Sequence, residues 1–233
     1  MRGAFILLAG LALAACERRP VPAPTPTPAA GAPTAAAHPP GQPEQTAPRP
    51  EDLRVVLGTD ASFAAPGSPA TNVANLARRP WTGPIDQVLA EDAPDPVFLS
   101  KTRLASPGAD LDALFVRGLD NLRKTCPQPI AGDRTVEGRA HVWISRFADN
   151  YTSARLLLPE LWTKIAAANH GHLYAAAPAR DILLWTASTA KDDQADFRAQ
   201  ARTAFQSRSF PISPAILRWT GRGWKLEDPN PVQ

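Results

Sequence analysis

The residue combinations best suited to chemistry in this 233-residue chain are an adjacent pair, Arg180-Asp181, and the run Asp149-Asn150-Tyr151. A guanidinium offers a planar fork of donors that matches a carboxylate or a phosphate, and a neighbouring carboxylate can orient that fork. The pair serves structure equally well: Arg180 can bond loop carbonyls, while Asp181 caps a turn or pairs with Arg155. Pro178, just upstream, fixes the backbone and removes a donor, which suits either role. Asp149-Asn150-Tyr151 has the composition of a turn before a strand, and a loop with those three side chains can also line a pocket. Arg180, Asp181 and Asp149 are therefore the candidate ligand-binding residues.

Other combinations carry less. His170 and His172, in "HGH", would put both rings on one side of an extended backbone. Zinc takes three or four ligands, and the spacing supplies no third. His141 beside Trp143 reads as a packed or surface histidine. Asp192-Asp193 stands at a helix start, where the helix dipole favours carboxylates, and Glu91-Asp92 reads as a turn. Cys126 follows Arg123 and Lys124; cations can lower a thiol pKa, and the alternative is a half-buried bystander. No GxSxG elbow, phosphate-binding GxxxxGK loop, GxGxxG or CxxC occurs. No catalytic residue, metal site or cofactor is assigned.

The first sixteen residues, MRGAFILLAGLALAAC, hold a different kind of site. Arg2 precedes the apolar run Ala4 to Ala15, twelve residues long. That is too short to cross a bilayer as a helix, which needs about 20 residues, and it fits the apolar core of an export signal. The run ends in Leu13-Ala14-Ala15-Cys16, which resembles the bacterial lipobox. That resemblance implies cleavage before Cys16, diacylation of its sulfur and acylation of its new amine. Several acyl chains are what stable anchoring requires, since one chain holds a protein only marginally. Glu17, where aspartate is associated with retention in the inner membrane, favours the outer membrane, facing the periplasm, over the inner.

Residues 17–50 contain 11 Pro, 8 Ala and 4 Thr and no Phe, Trp or Tyr. Such a segment cannot bury enough apolar surface to offset its ordering entropy. Proline biases it towards polyproline II, giving a reach on the order of 100 Å. The organisation expected is a signal peptide over 1–15, a lipidated cysteine and disordered linker over 16–50, and one globular domain over 51–233. The chain carries +3 overall; Arg2, Arg18, Arg19 and Arg49 precede residue 51 against Glu17 and Glu44, which leaves about +1 for the domain. A near-neutral domain argues against nucleic acid as a partner, and it leaves membrane attachment to the lipid. With Cys16 lipidated, Cys126 has no disulfide partner.

Within the domain, the spacing of Leu111, Leu114, Phe115, Gly118, Leu119 and Leu122 predicts a helix over 111–124, capped by Asp110. Asn121 lies at the edge of its stripe, where an amide can bond a neighbouring loop. Pro159 opens a second helix with Leu161, Trp162, Ile165 and Ala166 inward, stopped at Asn169-His170-Gly171. A third covers 191–206, with Phe197, Ala201, Ala204 and Phe205 inward. Strands are predicted at "IDQVLAED", "PVFLSKTRL", 139–147, 153–158, "HLYAAA", "DILLWTA", "AILRWT" and "GWKLE", the last two joined by a Gly221-Arg222-Gly223 hairpin turn. "LRVVLG" reads as a strand and "NVANLARRP" as one or two helical turns. Short connections between mixed elements give an α+β fold: a mixed or antiparallel sheet with about three main helices.

Four segments in order, "LFVRGLDNLRK", "DNYTSARLLLPELWTKIA", "YAAAPARDILLWTAS" and "FPISPAILRWTGRGWKL", resemble the YtpQ-like family of bacterial proteins. The third holds the Pro-x-Arg-Asp signature at Pro178 to Asp181. The resemblance spans roughly residues 85–227. It implies no particular activity. The chain departs from it in its signal and linker, and in Gly118, where the family helix usually carries alanine. The functional expectation is a lipid-anchored protein of the bacterial cell envelope acting as a non-enzymatic binding or accessory module for an envelope protein or a small polar ligand. The competing expectation is an envelope hydrolase using the loops at 149–151 and 178–181.

Overall fold

The computed structural model describes residues 47–64, 72–94, 96–104, 110–130, 133–134 and 141–229. The signal peptide, Cys16 and most of the expected linker lie outside the described residues. In chain order the elements are β1 (Leu53–Gly58), α1 (Asp60–Ala64), β2 (Arg78–Thr82), β3 (Ile85–Glu91), β4 (Val97–Phe98) and α2 (Lys101–Leu104). Then come α3 (Leu111–Thr125), β5 (Asp133–Arg134), β6 (Val142–Ser145), α4 (Pro159–Ala168), β7 (Tyr174–Ala179) and β8 (Ile182–Thr186). The chain continues with α5 (Lys191–Ser207), β9 (Ile216–Trp219) and β10 (Trp224–Asp228). Among the described residues no helix is long and apolar enough to cross a membrane.

Both sheets are antiparallel. The first has the order β1-β3-β2, with β4 also pairing with β3; the second runs β10-β9-β7-β8-β6-β5. The α+β expectation with three main helices holds, and the strands divide between two antiparallel sheets.

Strand alternation places the second sheet between two cores. Val142, Ala176, Ile182, Leu184 and Ile216 face Phe197 and Ala201 of α5. Their sequence neighbours Ala175, Leu183, Trp185 and Leu217 belong to the larger core, which also contains β1, β3, α3 and α4 side chains. Burial on both faces explains why "YAAAPA" and "ILLWT" read as continuous apolar runs. Trp143 and Trp185, directly opposite in the β6–β8 register, stack with centroids 5.1 Å apart. Trp162 of α4 meets Trp185 and Trp224 edge-on, at 6.4 and 5.0 Å.

Helix α3 starts where Asp110 accepts a hydrogen bond from the Asp112 N–H. Its Asn121 amide donates to the carbonyls of Pro50 and Leu53, at 2.8 and 3.1 Å, and so fixes the start of β1. Gly118 lets the helix approach closely: an added Cβ would lie 2.9 Å from Val55 Cγ2 and 3.3 Å from the Arg54 backbone. The terminal hairpin forms as expected, with Gly221 at φ 90°.

Three expectations are corrected. Residues 153–158 are not a strand: Ser153–Leu157 form a 3₁₀ helix in which all five residues are buried. A strand alternates two faces, whereas here the whole circumference packs, and the Leu158 N–H bonds back to the Arg155 carbonyl. "PVFLSKTRL" yields only the two-residue β4, because the Ser100 hydroxyl accepts from the Arg103 N–H and opens α2. "NVANLARRP" makes a single 3₁₀ turn at Val73–Asn75, after which Arg78–Thr82 continue as β2. Pro80, which lacks an N–H for the ladder, is tolerated because β2 ends the sheet order.

Candidate functional site

The structure places Arg180 and Asp181 in the tight turn between β7 and β8, so the pair separates two strands instead of opening one. The Arg180 guanidinium lies 4.0 Å from the centre of the Phe210 ring, and its backbone N–H donates to the Phe210 carbonyl at 3.1 Å. Asp181 pairs with Arg208 at 3.3 Å, not with Arg155. Both residues thus fasten the segment that follows α5 to the hairpin tip. Phe210 holds φ 55°, a costly conformation for a bulky residue, and the Arg180 N–H and ring contact meet it there.

Asp149 has a different set of partners. Both of its oxygens accept from Arg155, Nη1 to Oδ1 at 2.9 Å and Nη2 to Oδ2 at 2.7 Å. Oδ1 also accepts the Tyr151 N–H at 2.8 Å, the Asx turn its sequence predicted. Burial works to raise this carboxyl, but the Arg155 fork and the Tyr151 N–H outweigh it, and Asp149 is held below the ordinary aspartate value. Arg155 has no exposed surface, and the face of its guanidinium covers Phe147 at 3.6 Å. Tyr151 donates to Asp92 at 2.5 Å, and Asp92 also pairs with Arg54 at 2.8 Å. Burial, reinforced by the Asp92 carboxylate, keeps the Tyr151 hydroxyl protonated far above its usual range. The 149–151 loop is therefore a joint tying the first sheet to the 3₁₀ helix before α4, and its charges are internally matched.

Cys126 is buried, and that burial pushes its thiol up to about 11 despite the opposing charge of Arg155. A thiol so placed is inert. His170 and His172 flank Gly171 in the exposed turn after α4, with His170 at φ 55°. Asp192 and Asp193 fill the first turn of α5, where Asp193 accepts from the Ser188 hydroxyl at 2.5 Å.

An open recess sits elsewhere. A cleft of about 520 Å³ is lined by Asp60, Arg78 and Asp86, with Pro84, Phe205 and Pro214 among its apolar groups. Its charged groups come from α1 and from the β2–β3 hairpin. Asp60 begins α1. Arg78 stands opposite Val88 in the β2–β3 register and Asp86 opposite Pro80, so the two lie at diagonal positions on one face. The opposite face is occupied by Arg79, whose Nε donates to its direct partner Gln87 at 2.9 Å. Arg78 Nη1 donates to Asp86 Oδ2 at 3.0 Å and to Asp60 Oδ1. Burial is the main influence on Asp86 and raises its carboxyl above the ordinary value; Arg78 opposes this and Asp60 adds to it.

The cleft is framed by both sheets. The Thr59 hydroxyl, directly after β1, donates to the Ile212 carbonyl at 3.0 Å. The Ile212 N–H in turn donates to the Pro178 carbonyl of β7 at 2.8 Å. No local signal in the sequence marks this trio. Asp60 and Asp86 stand 18 and 8 residues from Arg78, and only a correct β2–β3 register would have brought the latter two together.

Comparison with family models, with curated proteins and with solved structures gives no match to this chain.

Proposed function

We propose that this chain is a lipid-anchored protein of the bacterial cell envelope, held through Cys16, whose folded domain is a binding module for a small polar ligand. The observation that carries the binding reading is the 520 Å³ cleft with a carboxylate–guanidinium–carboxylate cluster among apolar groups. Its volume lies in the range of small-molecule pockets, with a few polar groups among apolar ones, and a carboxyl displaced from its ordinary value stands in its wall. The anchoring reading is supported by the apolar run, the Leu-Ala-Ala-Cys box and the proline-rich linker. The resemblance to the YtpQ-like family is part of the same proposal. Its four segments coincide with α3, the 149–168 joint and helix, the β7–β8 hairpin and the 210–226 segment that reaches the cleft.

A hydrolase using the 149–151 and 178–181 loops is the weaker reading, because Asp149 and Asp181 are already engaged by Arg155 and Arg208. The test is a thermal-shift screen of small polar compounds on the full-length chain in detergent, repeated on Ala61→Trp. Ala61 is exposed and lines the cleft, so a bulky side chain fills the recess without disturbing the core. Compounds that raise Tm in the parent and not in Ala61→Trp place the ligand in the cleft; compounds that raise it equally in both overturn the assignment.

A further inference from the structure

The cleft's charge balance is uneven. Its ionisable lining consists of two carboxylates, Asp60 and Asp86, against one guanidinium, Arg78. Both carboxylates take their hydrogen bonds from the same nitrogen, Nη1 of Arg78. A carboxylate accepts up to about four hydrogen bonds, and neither Asp60 nor Asp86 has another donor among the described residues. Two carboxylate oxygens, Asp60 Oδ2 and Asp86 Oδ1, and one unit of negative charge are therefore left unmatched among the described residues that line the cleft. Asp86 sits on a strand with its side chain 20% exposed, while Asp60 is 75% exposed, so the cluster runs from the wall of the cleft to its mouth. Beside it stand Pro84, Phe205 and Pro214, which offer flat apolar surface and no charge.

Resting on the reading of this cleft as the ligand site, we infer that it selects compact organic cations: a primary ammonium group held by Asp60 Oδ2 and Asp86 Oδ1, the oxygens that Arg78 does not bond, and carried on an apolar body packed against Phe205 and the prolines. An ammonium brings three donors and a point charge, which supplies what both carboxylates lack and neutralises the excess. An anion would have only Arg78 to address and would meet two carboxylates beside it. A neutral group would leave the extra charge uncompensated.

The inference is tested by calorimetric titration of the full-length chain in detergent with three ligands of one shape: benzylammonium, benzyl alcohol and benzoate. Benzylammonium is expected to bind at least tenfold more tightly than the alcohol, the usual margin for a charge-assisted bond over a neutral one, with benzoate weaker still. Asp60→Asn, at an exposed position that does not threaten folding, is expected to weaken the ammonium by about threefold. Arg78→Gln is expected to tighten it severalfold by removing the competing cation, an effect that a purely structural role for Arg78 would reverse. Equal binding of alcohol and ammonium, lost in Ala61→Trp, overturns the cation preference and leaves the cleft as the site. Binding by none of the three, or binding unchanged in Ala61→Trp, overturns the cleft reading itself.

Discussion

Arg155 lays the fork of its guanidinium across both oxygens of Asp149, at 2.9 and 2.7 Å, while its own face covers the Phe147 ring at 3.6 Å. The arginine has no exposed surface; the aspartate keeps 27% of its side chain in contact with solvent. One charge is thus wholly withdrawn from water and depends on a partner at the rim. Arg155 Nε has no hydrogen-bond partner among the described residues, which makes the Asp149 fork the main compensation for burying the guanidinium.

Asp149→Asn should therefore destabilise the fold by about 3 kcal/mol, since breaking one side of a buried pair leaves an uncompensated charge. Replacing the pair together, Asp149→Asn with Arg155→Met, should recover part of that loss. Urea unfolding with an unchanged m-value is the check; a cost below about 1 kcal/mol would mean that water reaches Arg155 in solution.

The acid limb of the stability curve should report two aspartates acting in opposite senses. Asp149 is held below its ordinary value of 3.8 in the fold, so its contribution is whole above that pH and is lost as pH falls through the folded value. Asp86 is raised above 3.8, so the fold binds its proton more readily than the unfolded chain does; that contribution is present at low pH and fades as pH rises through the folded value. Asp149→Asn should flatten the rise of stability with pH below about pH 4, and Asp86→Asn should steepen the curve just above it. Stability measured between pH 2 and 6 decides the signs.

Gly118→Ala should destabilise by about 1 kcal/mol, although alanine is the better helix former by up to about 1 kcal/mol. The new methyl would meet Val55 Cγ2 at 2.9 Å and Leu89 Cδ2 at 3.2 Å. A β-branched valine on a strand has little freedom to yield, and overpacking of this kind costs about 1–3 kcal/mol. Thermal unfolding of the variant is the measurement; an unchanged or higher Tm would show that α3 can move away from β1.

Labelled palmitate fed to producing cells should enter the chain, and Cys16→Ser should abolish its incorporation. The variant should also leave the membrane fraction, because the near-neutral domain offers no alternative electrostatic attachment. Label retained in Cys16→Ser contradicts the lipid anchor.

The parts of the fold that can be read from the sequence are those whose stabilisation is local. Helix α3 carries its stripe and its Asp110 cap within a few residues, and the terminal hairpin carries its own glycines. Even the Asn121 side chain could be assigned to a neighbouring loop from its position on the stripe. Three features resist such reading because long-range packing decides them. The 3₁₀ segment at 153–157 looks like a strand until Arg155 is known to be buried against Asp149 and Phe147. Strand β2 is hidden by Pro80, which is harmless only at a sheet edge. The cleft trio follows from the β2–β3 register and from the Thr59–Ile212 bond, neither of which leaves a mark in composition or spacing. The charges most visible in the sequence, Arg180 and Asp181, turn out to be engaged by Phe210 and Arg208, while the less conspicuous Asp60, Arg78 and Asp86 bond one another in the wall of a cleft.

The most direct measurement is amide chemical-shift mapping of benzylammonium on the ¹⁵N-labelled full-length chain. Saturable shifts are expected to cluster at Thr59 to Ser62, Asp86, Phe205 and Ser213 and to be absent in Ala61→Trp. Shifts centred on Arg180 and Asp181 at the β7–β8 turn, or saturable shifts nowhere in the domain, would contradict the cleft assignment.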